Sequence, residues 1–385
     1  MGMNYTPREM IDRLVSFDTT SRDSNLGLIE FVEDYLKSHG LKPHLMPNSQ
    51  GTKANLYVTI GPDEPGGIVL SGHTDVVPVD GQPWTSDPFK TVERDGKLYG
   101  RGTADMKSFS AIALAYVPKF IAANGKTPIH IALSYDEEIG CLGVRPMIAK
   151  VLAEHPKPKL VIIGEPSDMQ VVNAHKGIRA FRTTVTGREA HSSHTDKGVN
   201  AVMIAAELIT YLETIAEDMR KRGDPSGRFD PPYTTVQSSV IHGGTALNIL
   251  ARECTFHWEY RSLPGTDEEE IAERFERHAR ENVLPRLKRI ASEADIITKP
   301  GSRVPPLRAV ADCVAESLAR QLTGRNSSEA VSYGTEAGLF QEAGIPAVVC
   351  GPGSILQAHK PDEFIELEQI DLCTQFMQRL VDHIS

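Results

Sequence analysis

Residues 68–78 read IVLSGHTDVVP: a short apolar run that reaches Gly72 and then presents His73 and Asp75 before Pro78. Three further runs of the same kind are NLYVTI at 55–60, IHIALSY at 129–135 and LVIIG at 160–164. All are rich in Ile and Val and alternate little, as expected of strands buried on both faces. Two of them also run straight into acids, Asp136-Glu137-Glu138 and Glu165. Helical patterns lie between, over 106–123 and over 141–154 through Val144, Ile148 and Leu152. Strands alternating with helices predict an α/β layer with a mixed, mostly parallel central sheet. In such sheets ligands gather where strands end.

The flanking sequence supports this frame. Thr6, Pro7 and Glu9 form a helix start with a capping box. Leu28, Ile29, Val32, Tyr35 and Leu36 recur at helical spacing before Gly40. After His175-Lys176-Gly177 the pattern changes. An alternating strand at 178–187 is followed by a helix from about Val199 to Arg222 and a Pro/Gly-rich loop at 223–233. Strand-like runs at 234–242 and 251–263, a charged helix at 267–290, an alternating piece at 291–299 and the breaker KPGSRVPP complete the segment. The order β-α-β-β-α-β predicts one antiparallel sheet covered by two helices. It reads as an insertion, because His359 lies beyond it.

The chain has 385 residues, 40% of them apolar and 24% charged, with a formal net charge of −10. That balance argues against a nucleic acid or an anionic membrane as partner. No run approaches a membrane span of roughly 18 apolar residues. The N-terminus lacks the apolar core of a signal peptide. Cys141, Cys254, Cys313, Cys350 and Cys373 are odd in number and scattered, as in a reduced cytoplasmic protein.

The polar residues at the strand ends carry the chemistry. His73, Asp105, Glu137, Glu138, Glu165 and His359 supply imidazole nitrogen and carboxylate oxygen, a natural set for two zinc ions. A metal pair about 3.5–4 Å apart lowers the pKa of a water and polarises a carbonyl. Each residue has an ordinary reading beside this one. GHTDVVP is also a turn, Asp105 also a helix N-cap, DEE also a solvated acidic loop, and Glu165 and His359 are unremarkable alone. Asp75, two residues from His73, is placed to accept a hydrogen bond from its ring. Arg261 can hold a carboxylate bidentately or form a salt bridge at a strand end. Asn248 offers an amide. Glu336 lies between Gly334 and Gly338, where a fixed negative charge suits a substrate ammonium.

The longer motifs GHTDVVPVDGQPWTSDPF, DGKLYGRGTADMK, DEEIG, IIGEP and HKPDE resemble the dinuclear zinc aminoacylase and carboxypeptidase family. So do VVNAHKG, AHSSHTDKGVNA, IHGGTALNI, YRSLPG, YGTEAG and GPGSILQAHKPDEF, and the resemblance runs from about residue 5 to the C-terminus. It implies a zinc-peptidase-like catalytic domain, 1–177 and 300–385, and an inserted ferredoxin-like lid and dimerisation domain, 178–299. Asp105 would bridge two divalent ions, zinc or alternatively cobalt or manganese. His73 and Glu165 would complete one site, Glu138 and His359 the other. Glu137 would be general base and acid, Asp75 would orient His73, and His191 would stabilise an oxyanion. The stretch after AHSS, which commonly carries a proline, here reads His194-Thr195-Asp196. Within the family the motifs are nearest to the branch that deacetylates N2-acetyl-L-ornithine, a step of arginine biosynthesis. Desuccinylation of succinyl-diaminopimelate and broader N-acyl-amino-acid hydrolysis are the alternatives, with a non-catalytic binding protein on the same fold behind them. Asn248, Arg261 and Glu336 would then contact a small-molecule substrate, in a homodimer formed through the inserted domain.

Overall fold

The computed structural model describes residues 2–385. They divide into two compact units, residues 2–174 with Leu307–Ala330 and Thr335–Ser385, and His175–Pro306 with Val331–Gly334.

An eight-stranded sheet is the frame of the first unit. Its spatial order is His44–Pro47, Ala54–Ile60, Ile129–Ser134, Ile68–His73, Leu160–Pro166, Ala347–Gly351, Val172–His175 and Glu329–Val331. Ile68–His73 runs parallel to both of its neighbours, and Leu160–Pro166 runs parallel to Ala347–Gly351. Ala54–Ile60 pairs antiparallel with Ile129–Ser134. Every residue of Ile68–His73, Ile129–Ser134 and Leu160–Pro166 is buried, which is why these segments read as continuous apolar runs. Each such Ile, Val or Leu side chain contributes about 1.5–3 kcal/mol on burial.

Helices cover the sheet. Pro7–Val15 begins at Thr6, whose hydroxyl accepts from the Glu9 amide while the Glu9 carboxylate accepts from the Thr6 amide, completing the capping box. The helix expected over 106–123 is two helices, Lys107–Ala115 and Val117–Ala123. Pro118 explains the break: it has no N–H for the preceding turn and suits the first turn of a new helix. The short strands Ala347–Gly351, Val172–His175 and His44–Pro47 escape the sequence reading because none exceeds five residues.

The second unit has four antiparallel strands in the spatial order Thr235–Gly243, Glu253–Ser262, Gly177–Thr186, Asp295–Val304. Its helix Ala201–Arg222 is capped by Asn200, whose side chain accepts from the amides of Val202 and Met203. Phe181, Leu208, Leu212, Phe256, Trp258 and Phe275 form its core. The charged helix expected over 267–290 is interrupted. An α-turn segment Glu270–His278 passes into a π-turn, Ala279–Val283, before Leu284–Lys288 and its Pro285. KPGSRV does not break the last strand. Asp295–Val304 continues through it with a register shift between Pro300 and Arg303, tolerated because this is an edge strand.

Candidate metal centre

Parallel strands end on the same side, and this places the chemistry. His73 and Ser134 are paired at the carboxyl ends of adjacent strands, and Glu165 stands at the end of the next. Asp136, Glu137 and Glu138 follow Ser134 directly. Asp105 arrives from a turn two residues ahead of the helix Lys107–Ala115 and is not that helix's N-cap. The peptide between Asp105 and Met106 is cis.

The six residues converge. Asp105 divides its carboxylate between two histidines: Oδ1 lies 3.0 Å from His73 Nε2 and Oδ2 lies 3.3 Å from His359 Nε2. His73 Nε2 is 3.6 Å from Glu165 Oε1, and His359 Nε2 is 3.0 Å from Glu138 Oε2. Ligand atoms of His73, Glu137 and Glu165 lie within 4.8 Å of one another, as do those of His73, Asp105 and Glu138. His73 Nδ1 donates to the main-chain oxygen of Asp75 at 2.9 Å. That bond leaves Nε2 as the nitrogen facing the carboxylates.

Four carboxylates share this buried space, and without cations they cannot all be charged. Burial and the neighbouring acids push Glu165 well above the usual carboxylate range, Glu137 up to about 8 and Glu138 up to about 6. Asp105 and Glu138 hold the His359 imidazole up at about 10. Burial opposes the charging of His73, yet Asp105 and Glu165 outweigh it and raise this ring well above its ordinary value. Asp105, between two imidazoles, is held low in spite of its burial. This surplus of negative charge on nitrogen and oxygen donors fits a pair of divalent cations.

Asp75 acts differently from the expectation. Its carboxylate lies 3.7 Å from His73 Nδ1, while the ring bonds the main-chain oxygen of the same residue. The carboxylate instead accepts the amides of Glu137 and Glu138, at 3.1 and 3.3 Å, and the Ser21 hydroxyl at 2.7 Å. Asp75 therefore anchors the acidic loop. Cys141 lies on the same loop, and its thiol donates to Glu137 Oε1 at 3.2 Å. Asp136, Cys141 and His359 all adopt positive φ, an unfavourable backbone state for residues with side chains.

Glu336 is also corrected. It is 1% exposed, and its two oxygens accept from the hydroxyls of Ser71 and Ser134. Burial raises it to about 7. A carboxylate so committed is a poor partner for an incoming ammonium. Asp136, the next acid in line, is paired with Lys53.

His191, Asn248 and Arg261 belong to the second unit. His191 is exposed and bridges to Ile249, and the Ser192 amide donates to the Asn248 carbonyl at 3.0 Å, so His191 and Asn248 are neighbours. The Ser193 amide donates to His191 Nδ1 at 3.2 Å. Nδ1 is then the acceptor nitrogen, and Nε2 carries the proton. Arg261 takes its ordinary reading, with Nε 3.1 Å from Glu259 Oε1 on the same face of its strand. Sequence reasoning missed Ser21, Cys141 and Glu363. Only Glu363 carried a signal, an acid wedged before Phe364 and four residues after His359.

A profile of peptidase family M20/M25/M40 matches residues 69–383. Acetylornithine deacetylase of Pasteurella multocida is 35% identical over 367 residues, 95% of this chain and 93% of that protein. The enzyme of the same name from Photorhabdus laumondii is 34% identical over 368 residues, 95% of this chain and 92% of its own. Among solved structures, an M20 family metallo-carboxypeptidase from Sulfolobus solfataricus superposes with a TM-score of 0.76 at 17% identity, covering 97% of this chain and 98% of its own. A tripeptidase from Staphylococcus aureus gives 0.74 at 20% identity, over 100% and 99%.

Proposed function

This chain belongs to peptidase family M20/M25/M40, and from that premise and its clustered ligands we propose a metal-dependent amidohydrolase that converts N2-acetyl-L-ornithine and water to L-ornithine and acetate. The observation that carries the metal chemistry is the division of the Asp105 carboxylate between His73 and His359. The substrate rests on the relatives' shared activity over nearly the whole chain.

His73 and Glu165 would hold one cation, Glu138 and His359 the other, with Asp105 shared. Zinc suits this donor set, with cobalt and manganese as alternatives. Bound cations supply a polarised amide carbonyl and an acidified water.

The chain's own residues do the rest. Glu137 takes a proton from the attacking water as the new carbon–oxygen bond forms. A buried carboxylate beside the two cation sites suits both taking and returning that proton. His191 donates Nε2–H to the carbonyl oxygen as charge develops there. Glu137 then protonates the leaving α-nitrogen as the carbon–nitrogen bond breaks. Asn248 and Arg261 would contact the substrate, Arg261 by exchanging Glu259 for a carboxylate. Asp75 holds Glu137 and Glu138 in place through their amides.

The second unit would serve as lid and dimerisation surface. In its support, Thr235–Gly243 is an edge strand, and Val240, Ile241, Leu247 and Ile249 on or after it are exposed. No helix among the described residues is long and apolar enough to cross a membrane. A cytoplasmic location, where ornithine enters arginine synthesis, fits five free cysteines.

A panel of N-acyl amino acids assayed on protein of measured metal content tests the reading. Acetylornithine should exceed N-succinyl-diaminopimelate and acetylmethionine in kcat/KM by at least about tenfold, a discrimination of roughly 1.4 kcal/mol. A flat panel would mean a general aminoacylase.

A further inference from the structure

Glu363 and Arg101 form an ion pair with both side chains only 1% exposed. A buried pair of this kind is weak evidence for stability, because desolvation offsets the attraction. Its connections point elsewhere. Glu363 Oε1 accepts three main-chain amides, from Gly102, Ala104 and Asp105, at 3.0, 2.9 and 3.1 Å. Its Oε2 accepts from Arg101 Nη1 at 2.7 Å. The turn 101–105 thus folds around one carboxylate, as main-chain nests fold around anions. The last amide in that nest belongs to Asp105, the residue whose oxygens face both histidines.

The other end of the pair reaches the second histidine. Arg101 Nη2 donates to Gln82 Oε1 at 2.6 Å, and Gln82 Nε2 donates to the His359 carbonyl at 3.0 Å. Trp84 Nε1 also donates to Gln82 Oε1, at 3.0 Å, so the amide orientation is set. Arg101 Nη1 further reaches the Lys360 carbonyl at 3.3 Å. His359 needs such support. Its φ is +64°, its side chain is 54% exposed, and it sits on a loop, whereas His73 ends a buried strand.

We propose that Glu363 is a positioning residue for the cation site of Asp105, Glu138 and His359, aiming Asp105 through the amide nest and His359 through Arg101 and Gln82. The inference rests on the dinuclear reading above. Two of that site's three ligands depend on this clamp. Only Asp105 does so in the site of His73 and Glu165. Removing the negative charge of Glu363 should therefore separate the two sites.

Glu363→Gln keeps the shape. It leaves three amides and a guanidinium facing one neutral group, half of which is a donor. Stepwise titration of Co²⁺ into metal-free protein, followed by calorimetry and by the visible absorption of the bound ion, reads each site. The wild type should take up two ions. The variant should keep one near wild-type affinity and bind the other about 10–100-fold more weakly, the usual effect of losing a partner behind a metal ligand. The absorption contributed by the weakened ion should change shape, which a general loss of stability would not cause. Gln82→Ala removes only the arm to His359 at a half-buried position. It should weaken the same ion several-fold with the melting temperature of the metal-free protein unchanged, and it decides the matter if Glu363→Gln does not fold. Unchanged binding in both variants, or equal weakening of both ions, would overturn the role of Glu363 and leave the proposed reaction standing. A wild-type protein that takes up fewer than two ions would overturn the dinuclear reading and this inference with it.

Discussion

In the first unit His73, Asp105 and Glu165 are at most 5% exposed, and His73 Nε2 faces the other two carboxylates at 3.0 and 3.6 Å. In the second unit His191 and Asn248 are exposed, held by turn and main-chain hydrogen bonds and, at His191, by the Ser193 hydroxyl 2.8 Å from Nδ1. The contrast fits the roles proposed for each set. Cation ligands gain from a dry, rigid setting that strengthens every charge interaction. Groups that meet a substrate must exchange water for it at each turnover, so they stay open and rely on pre-orientation. His191 has this in its Ser193 bond, which leaves Nε2 as donor.

The strongest test of that division is Glu137→Gln. Turnover should fall about 10²–10⁴-fold while metal content stays near wild type, because the proposed reaction has Glu137 move a proton and Glu138 hold an ion. Loss of an ion from Glu137→Gln, with Glu138→Gln retaining both, would exchange their roles. His191→Ala comes next. Its kcat should fall by about 10²–10³ with little change in KM, the value of one donor to a developing oxyanion. If His191 serves a partner subunit's site, mixing these two inactive variants should restore activity once subunits exchange. Failure despite exchange would place the whole site within one chain.

The pH dependence of stability sharpens the comparison further. Folding raises Glu137 from 4.5 to about 8 and Glu138 to about 6, so both lose native stability as pH rises through that window. Folding also raises His359 from 6.5 to about 10, and its contribution, complete below 6.5, disappears as pH rises through about 10. Both slopes have the same sign. Asp105, held low, acts in the opposite sense only in the acid range. The melting temperature of metal-free protein should therefore fall steadily from about pH 5 to pH 9. Saturating zinc should flatten that fall, because cations bind the deprotonated ligands. A flat profile without metal would contradict the crowding of charges described above.

Smallest is the effect expected at Glu336. With its oxygens on Ser71 and Ser134, Glu336→Gln should lower kcat/KM for acetylornithine and for uncharged acetylmethionine by the same factor. A selective loss on acetylornithine would restore it as the reader of the distal ammonium.

Much of this was legible in the chain. Runs such as Ile68–Leu70 and Leu160–Ile163 are short but uniformly apolar, and burial on both faces leaves that mark. Candidate ligands at the ends of those runs could be named because parallel strands end together. The broken helices were less visible, since Pro118 and Pro285 interrupt patterns whose apolar spacing continues across them. The site residues misread were those whose partners come from far away in sequence. Asp75 was expected on His73, two residues off, yet its carboxylate serves amides 62 and 63 residues on.

By itself, then, the sequence determined most element types, the antiparallel order of the second unit and the chemical identity of the candidate ligands, because periodicity and residue type are local properties. Which donors each carboxylate meets was decided only in three dimensions. Glu138, Asp75, Glu336 and Glu363 are chemically alike, and what separates them is the set of donors each one meets. Those donors are an imidazole, loop amides, two serine hydroxyls, and an amide nest with a guanidinium. A carboxylate's role follows from its field and its hydrogen bonds, and these are assembled by strands and turns hundreds of residues apart.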